Sequence, residues 1–248
     1  MKKIHLGNGV IVFENAFGAM SEEINIFLDK MVKNIRPDSY APISDEQQSN
    51  SGGYEFSNTQ IIQSPSRYQN LQQNNDDVQY KNFIYQMDNC LIKCAVEYCK
   101  IFPAAIETIK WKTNGYVIRY QKGQYIGPHS DCALPYDSSG NAISQFPLYN
   151  TLTSALVLSD ANTGGEIQFR PWGITVKPIP GSVIMYSSSY MGCHEVSPIE
   201  DGERFAYLSW FGHGNAENER NYISMTDNLN QIPQTDRYPK LVMVGEIK

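Results

Sequence analysis

The 248-residue chain has four histidines, His5, His129, His194 and His213, so histidine-based chemistry has few places to sit. One of them opens the run His129-Ser130-Asp131. Residues i and i+2 of an extended segment project from the same face, so this imidazole and carboxylate can converge on one point. The pair alone is a weak signal, because such spacings arise by chance. His194 follows in a short apolar-flanked stretch, Met191-Gly192-Cys193-His194-Glu195-Val196. Two imidazoles and one carboxylate make the facial triad that holds Fe(II) and leaves positions open for an oxidant and a co-substrate. Arg204 lies ten residues beyond His194, across a turn at Glu200-Asp201-Gly202. A hairpin there would return the chain beside His194 and set Arg204 a few residues, each about 3.3 Å, along the strand. That offset suits a cation gripping the far carboxylate of a dicarboxylate whose other end chelates the metal. Guanidinium is shaped for this bidentate contact.

The elements that must position these residues fall in two halves. Residues 9–13 read as a short strand. Ser21-Glu22-Glu23 starts a helix with Ile24, Phe27, Leu28, Met31 and Val32 at helical spacing. Residues 36–77 are rich in Gln, Asn, Ser and Gly, and read as a long loop with one strand around Thr59–Gln63. A second helix is expected over Val78–Tyr98, with Phe83, Met87, Leu91, Cys94, Ala95 and Tyr98 on its core face. After Pro103 come β-rich runs at Lys110–Tyr120, Thr151–Leu158, Glu166–Phe169, Ile174–Val176, Ser182–Tyr186 and Glu203–Phe211. Beyond Gly214 the chain turns polar, with a last short strand at Leu241–Val244. Helices first and strands afterwards predict an α+β fold, an antiparallel β core buttressed on one side by helices.

Composition narrows the function classes. Apolar residues make up 41% of the chain, enough to bury a core. The net charge is −6, from 20 basic and 26 acidic residues. Duplex affinity rests on Lys and Arg neutralising phosphates, so nucleic acid is disfavoured as a partner. No run approaches the roughly 20 apolar residues that span a bilayer, so no membrane partner is expected. The stretch Val10–Phe13 is too short for the apolar part of a secretory signal. Five cysteines, Cys90, Cys94, Cys99, Cys132 and Cys193, lack C-x-x-C pairing. Together these features predict a cytoplasmic protein with free thiols. Oligomeric state leaves no trace in the sequence.

Successive blocks of the chain resemble one family. They are Tyr120-Gln121-Lys122-Gly123-Gln124-Tyr125-Ile126-Gly127-Pro128-His129-Ser130-Asp131, then Gly164-Gly165-Glu166, then Lys177-Pro178-Ile179-Pro180-Gly181. The last block runs from His194-Glu195-Val196 through Gly202-Glu203-Arg204-Phe205 to Trp210-Phe211. In this order they look like the prolyl 4-hydroxylase-like Fe(II)/2-oxoglutarate dioxygenases of bacterial and viral type, over about residues 113–212. The resemblance implies a double-stranded β-helix, or jelly-roll (cupin-like), core with N-terminal supporting helices. It implies His129, Asp131 and His194 as iron ligands and Arg204 as the residue binding the C5 carboxylate of 2-oxoglutarate. Tyr120 matches a tyrosine that hydrogen-bonds the same co-substrate. Fe(II), 2-oxoglutarate and O2 would be required, with ascorbate as reductant.

The activity that the resemblance implies is hydroxylation of an unactivated C–H bond with release of succinate and CO2. The reading taken for the substrate is a prolyl residue in a peptide or protein. A free amino acid or other small molecule is the alternative, and a non-catalytic jelly-roll module a more distant one. The nucleic-acid demethylating branch carries a second Arg six residues beyond the first, whereas position 210 is Trp. The expected layout is a single domain over 1–248. Within it, 1–105 is the N-terminal helical support and loop region, 106–214 the oxygenase core and 215–248 a C-terminal extension. The stretch Ala133–Asn150 is expected to cover the substrate, while Trp172 and Trp210 either wall the substrate groove or pack the core.

Overall fold

A computed structural model of the chain describes residues 1–18, 22–35, 65–68, 78–132, 148–214 and 222–232. The strands expected at Thr59–Gln63 and Leu241–Val244, and all but the last three residues of the covering stretch Ala133–Asn150, lie outside the described residues. The large antiparallel sheet runs in the order β1 (Lys2–Gly7), β2 (Val10–Glu14), β11 (Val183–Ser187), β7 (Leu148–Ser159) and β14 (Arg204–Gly214). It continues into β4 (Trp111–Thr113) and β15 (Tyr222–Ser224), while β5 (Tyr116–Tyr120) joins β14 to β3 (Ser66–Tyr68). The small sheet has the order β10 (Ile174–Val176), β9 (Ile167–Phe169), β12 (His194–Val196) and β6 (Ile126–His129). A ribbon of β8 (Thr163–Gly164) and β13 (Ile199–Asp201) links the two. The result is the jelly-roll expected from the sequence, mostly β, with the sheets facing each other and not closed into a barrel.

Period-two alternation explains why the strands settle in this register. Val10 and Val12 of β2, Ile118 of β5, Val157 of β7, Ile184 of β11 and Ala206 of β14 face the small sheet, where Ile167, Phe169, Val176 and Val196 meet them. Their neighbours Ile11, Phe13, Val117, Leu156, Val183, Met185, Tyr207 and Phe211 face the helices. A one-residue slip of any of these strands would exchange the two faces, so both cores fix the register together.

Helix α1 (Glu22–Asn34) buries Ile24, Phe27, Leu28 and Met31, an i, i+3, i+4, i+7 stripe, with Glu22 and Glu23 in its first turn and Lys33 in its last. Phe27 stacks on Phe83 of α2 (Val78–Ile101), ring centroids 4.4 Å apart. Helix α2 runs three residues past the predicted end and packs on β7 and β11. It also carries Asp88, which meets Lys112 of β4 and Tyr207 of β14 in the core. Lys112 Nζ donates to Asp88 Oδ1 at 2.5 Å, and the Tyr207 hydroxyl donates to the same oxygen at 2.7 Å. Burial pulls the Lys112 pKa down, against the Asp88 charge. The two bonds tie the helix layer to β4 and to the strand that begins with Arg204.

Three expectations need correcting. The run Lys110–Tyr120 is two strands, not one, broken at Asn114-Gly115. A Cβ on Gly115 would lie 2.2 Å from the Tyr207 ring, so the chain passes here only as glycine. Strand β1 has no counterpart in the sequence reading, because its polar Lys2, Lys3 and His5 hide the pattern. Most instructive is the turn at Glu200-Asp201-Gly202. The turn exists, with Gly202 at φ +83°, yet it does not return the chain beside His194. Strand β12 pairs with β6 and β9, whereas β14 pairs with β5 and β7 in the other sheet. The chain leaves the small sheet at Ser197-Pro198, since proline has no N–H for a further ladder bond. It pairs with β8 before crossing. Arg204 therefore comes to the site across the core and not along the neighbouring strand.

All five cysteines are free thiols, with Cys90, Cys94 and Cys99 buried. No helix among the described residues is long and apolar enough to cross a membrane.

Candidate metal centre

The small sheet brings the predicted triad together. His129 ends β6 and His194 opens β12, and the two are register partners in the antiparallel ladder. Their rings lie 4.3 Å apart, centroid to centroid. Asp131 follows β6, its position held by backbone bonds from both sides. Asn150 Nδ2 donates to the Asp131 carbonyl at 3.1 Å, and Cys132 N donates to the Ser188 carbonyl at 2.9 Å. One ligand atom from each of His129, Asp131 and His194 lies within 4.8 Å of the other two. Among the described residues this is the cluster of metal-ligating side chains.

Each imidazole is aimed by the backbone. His129 Nδ1 stands 2.8 Å from the Gly127 carbonyl oxygen and His194 Nδ1 2.9 Å from that of Gly192. A carbonyl only accepts, so each Nδ1 carries the proton and each Nε2 presents its lone pair. This is the tautomer that ligation through Nε2 requires, fixed by the bond the other nitrogen makes. Asp131 is aimed in the same way: its Oδ2 accepts from the Thr153 hydroxyl at 2.6 Å, leaving Oδ1 3.4 Å from His129 Nε2. Thr153 is in turn 2.9 Å from the Ser188 hydroxyl.

Electrostatics match this geometry. Burial alone would raise the Asp131 pKa, but the His194 and His129 imidazoles and the Thr153 hydroxyl hold it well below the usual carboxylate range. Burial pushes His194 down to about 4, so its ring is neutral at pH 7. Burial opposes charge on His129 too, but the Asp131 hydrogen bond and charge outweigh it and raise its pKa. A carboxylate facing an imidazole lone pair at 3.4 Å calls for a cation between them, a proton or a metal ion.

Arg204 and Tyr120 are register partners on β14 and β5, both on the face toward the small sheet. The Arg204 Cζ lies 5.2 Å from the Tyr120 ring centroid, and Arg204 is only 2% exposed. Gly165 makes room for it: a Cβ there would lie 3.3 Å from Arg204 Cδ, and Gly165 adopts φ +78°. The Nε and Nη1 of this buried guanidinium have no hydrogen-bond partner. Burial lowers its pKa, and the Tyr120 and Tyr186 phenols and the Asp160 and Glu166 carboxylates work the other way. Buried donors are nearly always satisfied, so two orphaned ones on a single cation point to an anionic ligand.

The structure thus groups the five predicted residues by contact or register: His129 with His194, Asp131 beside His129, and Arg204 with Tyr120. What sequence reading missed is the support: Thr153, Ser188, Asn150 and Tyr186. Most of their strands are predictable, but nothing in a hydroxyl on a strand says which carboxylate it will meet. His213 stands apart at the exposed end of β14, stacked on Tyr149. Trp210 lies on the inner face beside Tyr116, with its Nε1 buried and unpartnered, and Trp172 donates to the Met191 carbonyl at 2.7 Å. A cleft of about 410 Å³ opens elsewhere, between Asn162, Glu166, Gln168, Lys177 and Glu200, and none of the triad lines it.

The chain is similar to several known proteins. Residues 115–212 match the family model of the 2OG-Fe(II) oxygenase superfamily. A PKHD-type hydroxylase of Idiomarina loihiensis is 33% identical over 95 residues, which is 37% of this chain. That match spans only 38% of the relative's own length. Among solved structures, the viral collagen prolyl hydroxylase of Paramecium bursaria Chlorella virus-1, in its 2OG complex, superposes with a TM-score of 0.55 at 16% identity. The match covers 83% of this chain and 96% of that one. A prolyl hydroxylase of Trichoplax adhaerens, solved with a peptide fragment of the hypoxia inducible factor oxygen degradation domain, gives a TM-score of 0.52 at 14% identity. It covers 92% of this chain and 88% of that one. At such identities the likeness is one of fold.

Proposed function

We propose, from the premise that residues 115–212 form a domain of the 2OG-Fe(II) oxygenase superfamily, that this protein is an Fe(II)- and 2-oxoglutarate-dependent hydroxylase of prolyl residues in peptides or proteins. The observation that carries the oxygenase part is the pairing of a metal-ready triad with a buried guanidinium that has two unpartnered donors. His129, Asp131 and His194 hold the iron through Nε2, a carboxylate oxygen and Nε2. Arg204 binds the C5 carboxylate of 2-oxoglutarate with the fork geometry that a point charge cannot supply. Tyr120, stacked beneath it, adds a phenol near the same carboxylate. Iron bound at the triad supplies the oxygen-activating chemistry, while the chain supplies orientation, open coordination positions and a site shielded from water. Residues 106–214 act as the catalytic core, with 1–105 and 215–248 as its support in a single domain. Ascorbate serves as the reductant that keeps the iron ferrous.

The prolyl part rests on the fold shared with two prolyl hydroxylases and on the resemblance of the Tyr120–Asp131 block. Incubation of proline-containing peptides with the protein, Fe(II), 2-oxoglutarate and ascorbate, followed by mass spectrometry, tests it. The expected result is the gain of one oxygen on a prolyl residue, with one succinate formed per hydroxylation. Succinate formation without an oxygenated peptide across a broad panel would sink the prolyl assignment and leave the oxygenase standing.

A further inference from the structure

Tyr186 lies on β11 with its side chain on the face toward the small sheet, and it is 3% exposed. Its ring packs edge-on against Phe169, centroids 4.9 Å apart, and against the His194 imidazole at 4.6 Å. Its hydroxyl is 2.9 Å from His194 Nε2 and 3.5 Å from Asp131 Oδ2. Because His194 Nδ1 is committed to the Gly192 carbonyl, Nε2 is an acceptor and the phenol is the donor. That nitrogen has one lone pair. A metal ion at the triad and the Tyr186 proton compete for it.

Among the described residues the phenol's other acceptor is Asp131 Oδ2, a long bond at 3.5 Å to an oxygen that also accepts the 2.6 Å bond from Thr153. Arg204, which acts on Tyr186 electrostatically, has no acceptor to offer. A buried O–H held by so long a bond alone is poorly satisfied. We infer that Tyr186 is a positioning residue for the co-substrate: its hydroxyl turns from His194 Nε2 to an oxygen at the 2-oxo-acid end of 2-oxoglutarate once a metal ion takes that nitrogen. Tyr186 then works from the metal side and Arg204 from the far carboxylate, so the co-substrate is held at both ends by donors from the large sheet. The inference rests on the iron and 2-oxoglutarate reading above.

Tyr186→Phe removes one hydroxyl from a packed ring and keeps its volume. Wild type and variant are titrated with Co(II), and the Co(II)-loaded proteins then with 2-oxoglutarate. Calorimetry gives the affinities, and visible absorption reports the cobalt environment. A charge-assisted hydrogen bond lost to the acid should weaken 2-oxoglutarate binding about tenfold or more and reduce the shift it causes in the cobalt spectrum. Co(II) affinity should hold or rise, since the competing proton is gone. This split between metal and co-substrate is one that a merely structural role would not produce. Unchanged 2-oxoglutarate affinity, or loss of Co(II) binding in the variant, would overturn the inference. A wild-type protein that takes up Co(II) but not 2-oxoglutarate, or neither, would overturn the underlying reading, and this inference with it.

Discussion

Arg204→Met should weaken 2-oxoglutarate binding to the metal-loaded protein by roughly 30- to 4,000-fold, without destabilising the protein in the absence of ligand. The first effect comes from truncating one partner of a buried, hydrogen-bonded charge pair, which costs about 2–5 kcal/mol, at about 1.4 kcal/mol per tenfold in affinity. The second comes from what Arg204 does when no anion is bound. Its Nε and Nη1 are buried without partners, at about 1–3 kcal/mol for each unsatisfied donor. Its stacking on Tyr120 returns about 2 kcal/mol at a desolvated site. Methionine keeps an apolar stem of similar reach in the same slot, so the balance falls slightly in favour of the variant. Calorimetric titration and thermal unfolding of one pair of proteins check both statements. A variant that unfolds several degrees earlier and binds 2-oxoglutarate normally would make the guanidinium a structural group.

Lys112→Met should have the opposite profile, a large loss of stability. Lys112 has no exposed surface and Asp88 is 6% exposed. Removing the ammonium leaves the carboxylate buried, with the Tyr207 hydroxyl as its remaining side-chain donor among the described residues. Breaking a buried pair from one side costs about 3–5 kcal/mol. For a chain of this size that corresponds to a fall of roughly 6–20 °C in the unfolding midpoint, at about 2–4 °C per kcal/mol. Combining it with Asp88→Asn should recover most of the loss, because the charge is gone and the amide oxygen still accepts from Tyr207. Thermal unfolding of the two single variants and the double variant measures the coupling. Additive losses in the double variant would show that the pair is not what joins α2 to the sheet. Together the two replacements separate a buried cation kept for a ligand from a buried cation kept for the fold.

The fold is legible in the sequence where one physical rule dominates. Helical spacing exposes α1 and α2, and β-rich runs bounded by Gly and Pro expose the strands of the large sheet that bury both faces. Both signals fail at β6, where Gly127-Pro128 interrupts the run, and at β1, where polar residues mask an edge strand. Of the site, the residue types and the block order point to His129, Asp131, His194, Arg204 and Tyr120, because metal ligation and anion binding demand particular chemistry. The route of Arg204 is not legible, since a turn says that the chain reverses and not which sheet it enters. Thr153, Ser188 and Tyr186 stay invisible for a related reason: their roles come from cross-strand neighbours. Tyr186 pairs with Thr153 in the β11–β7 ladder, a relation set by pairing more than thirty residues apart in the chain.

The most direct test of the central claim is an anaerobic titration of the Fe(II)-loaded protein with 2-oxoglutarate, followed by calorimetry and by the visible absorption of the iron–2-oxo-acid chelate. The wild-type protein should bind one equivalent and develop the absorption band, and His129→Ala should show neither. Binding of 2-oxoglutarate that is indifferent to iron or to His129, or no binding by the iron-loaded wild type, would contradict the assignment of this cluster as the metal and co-substrate site.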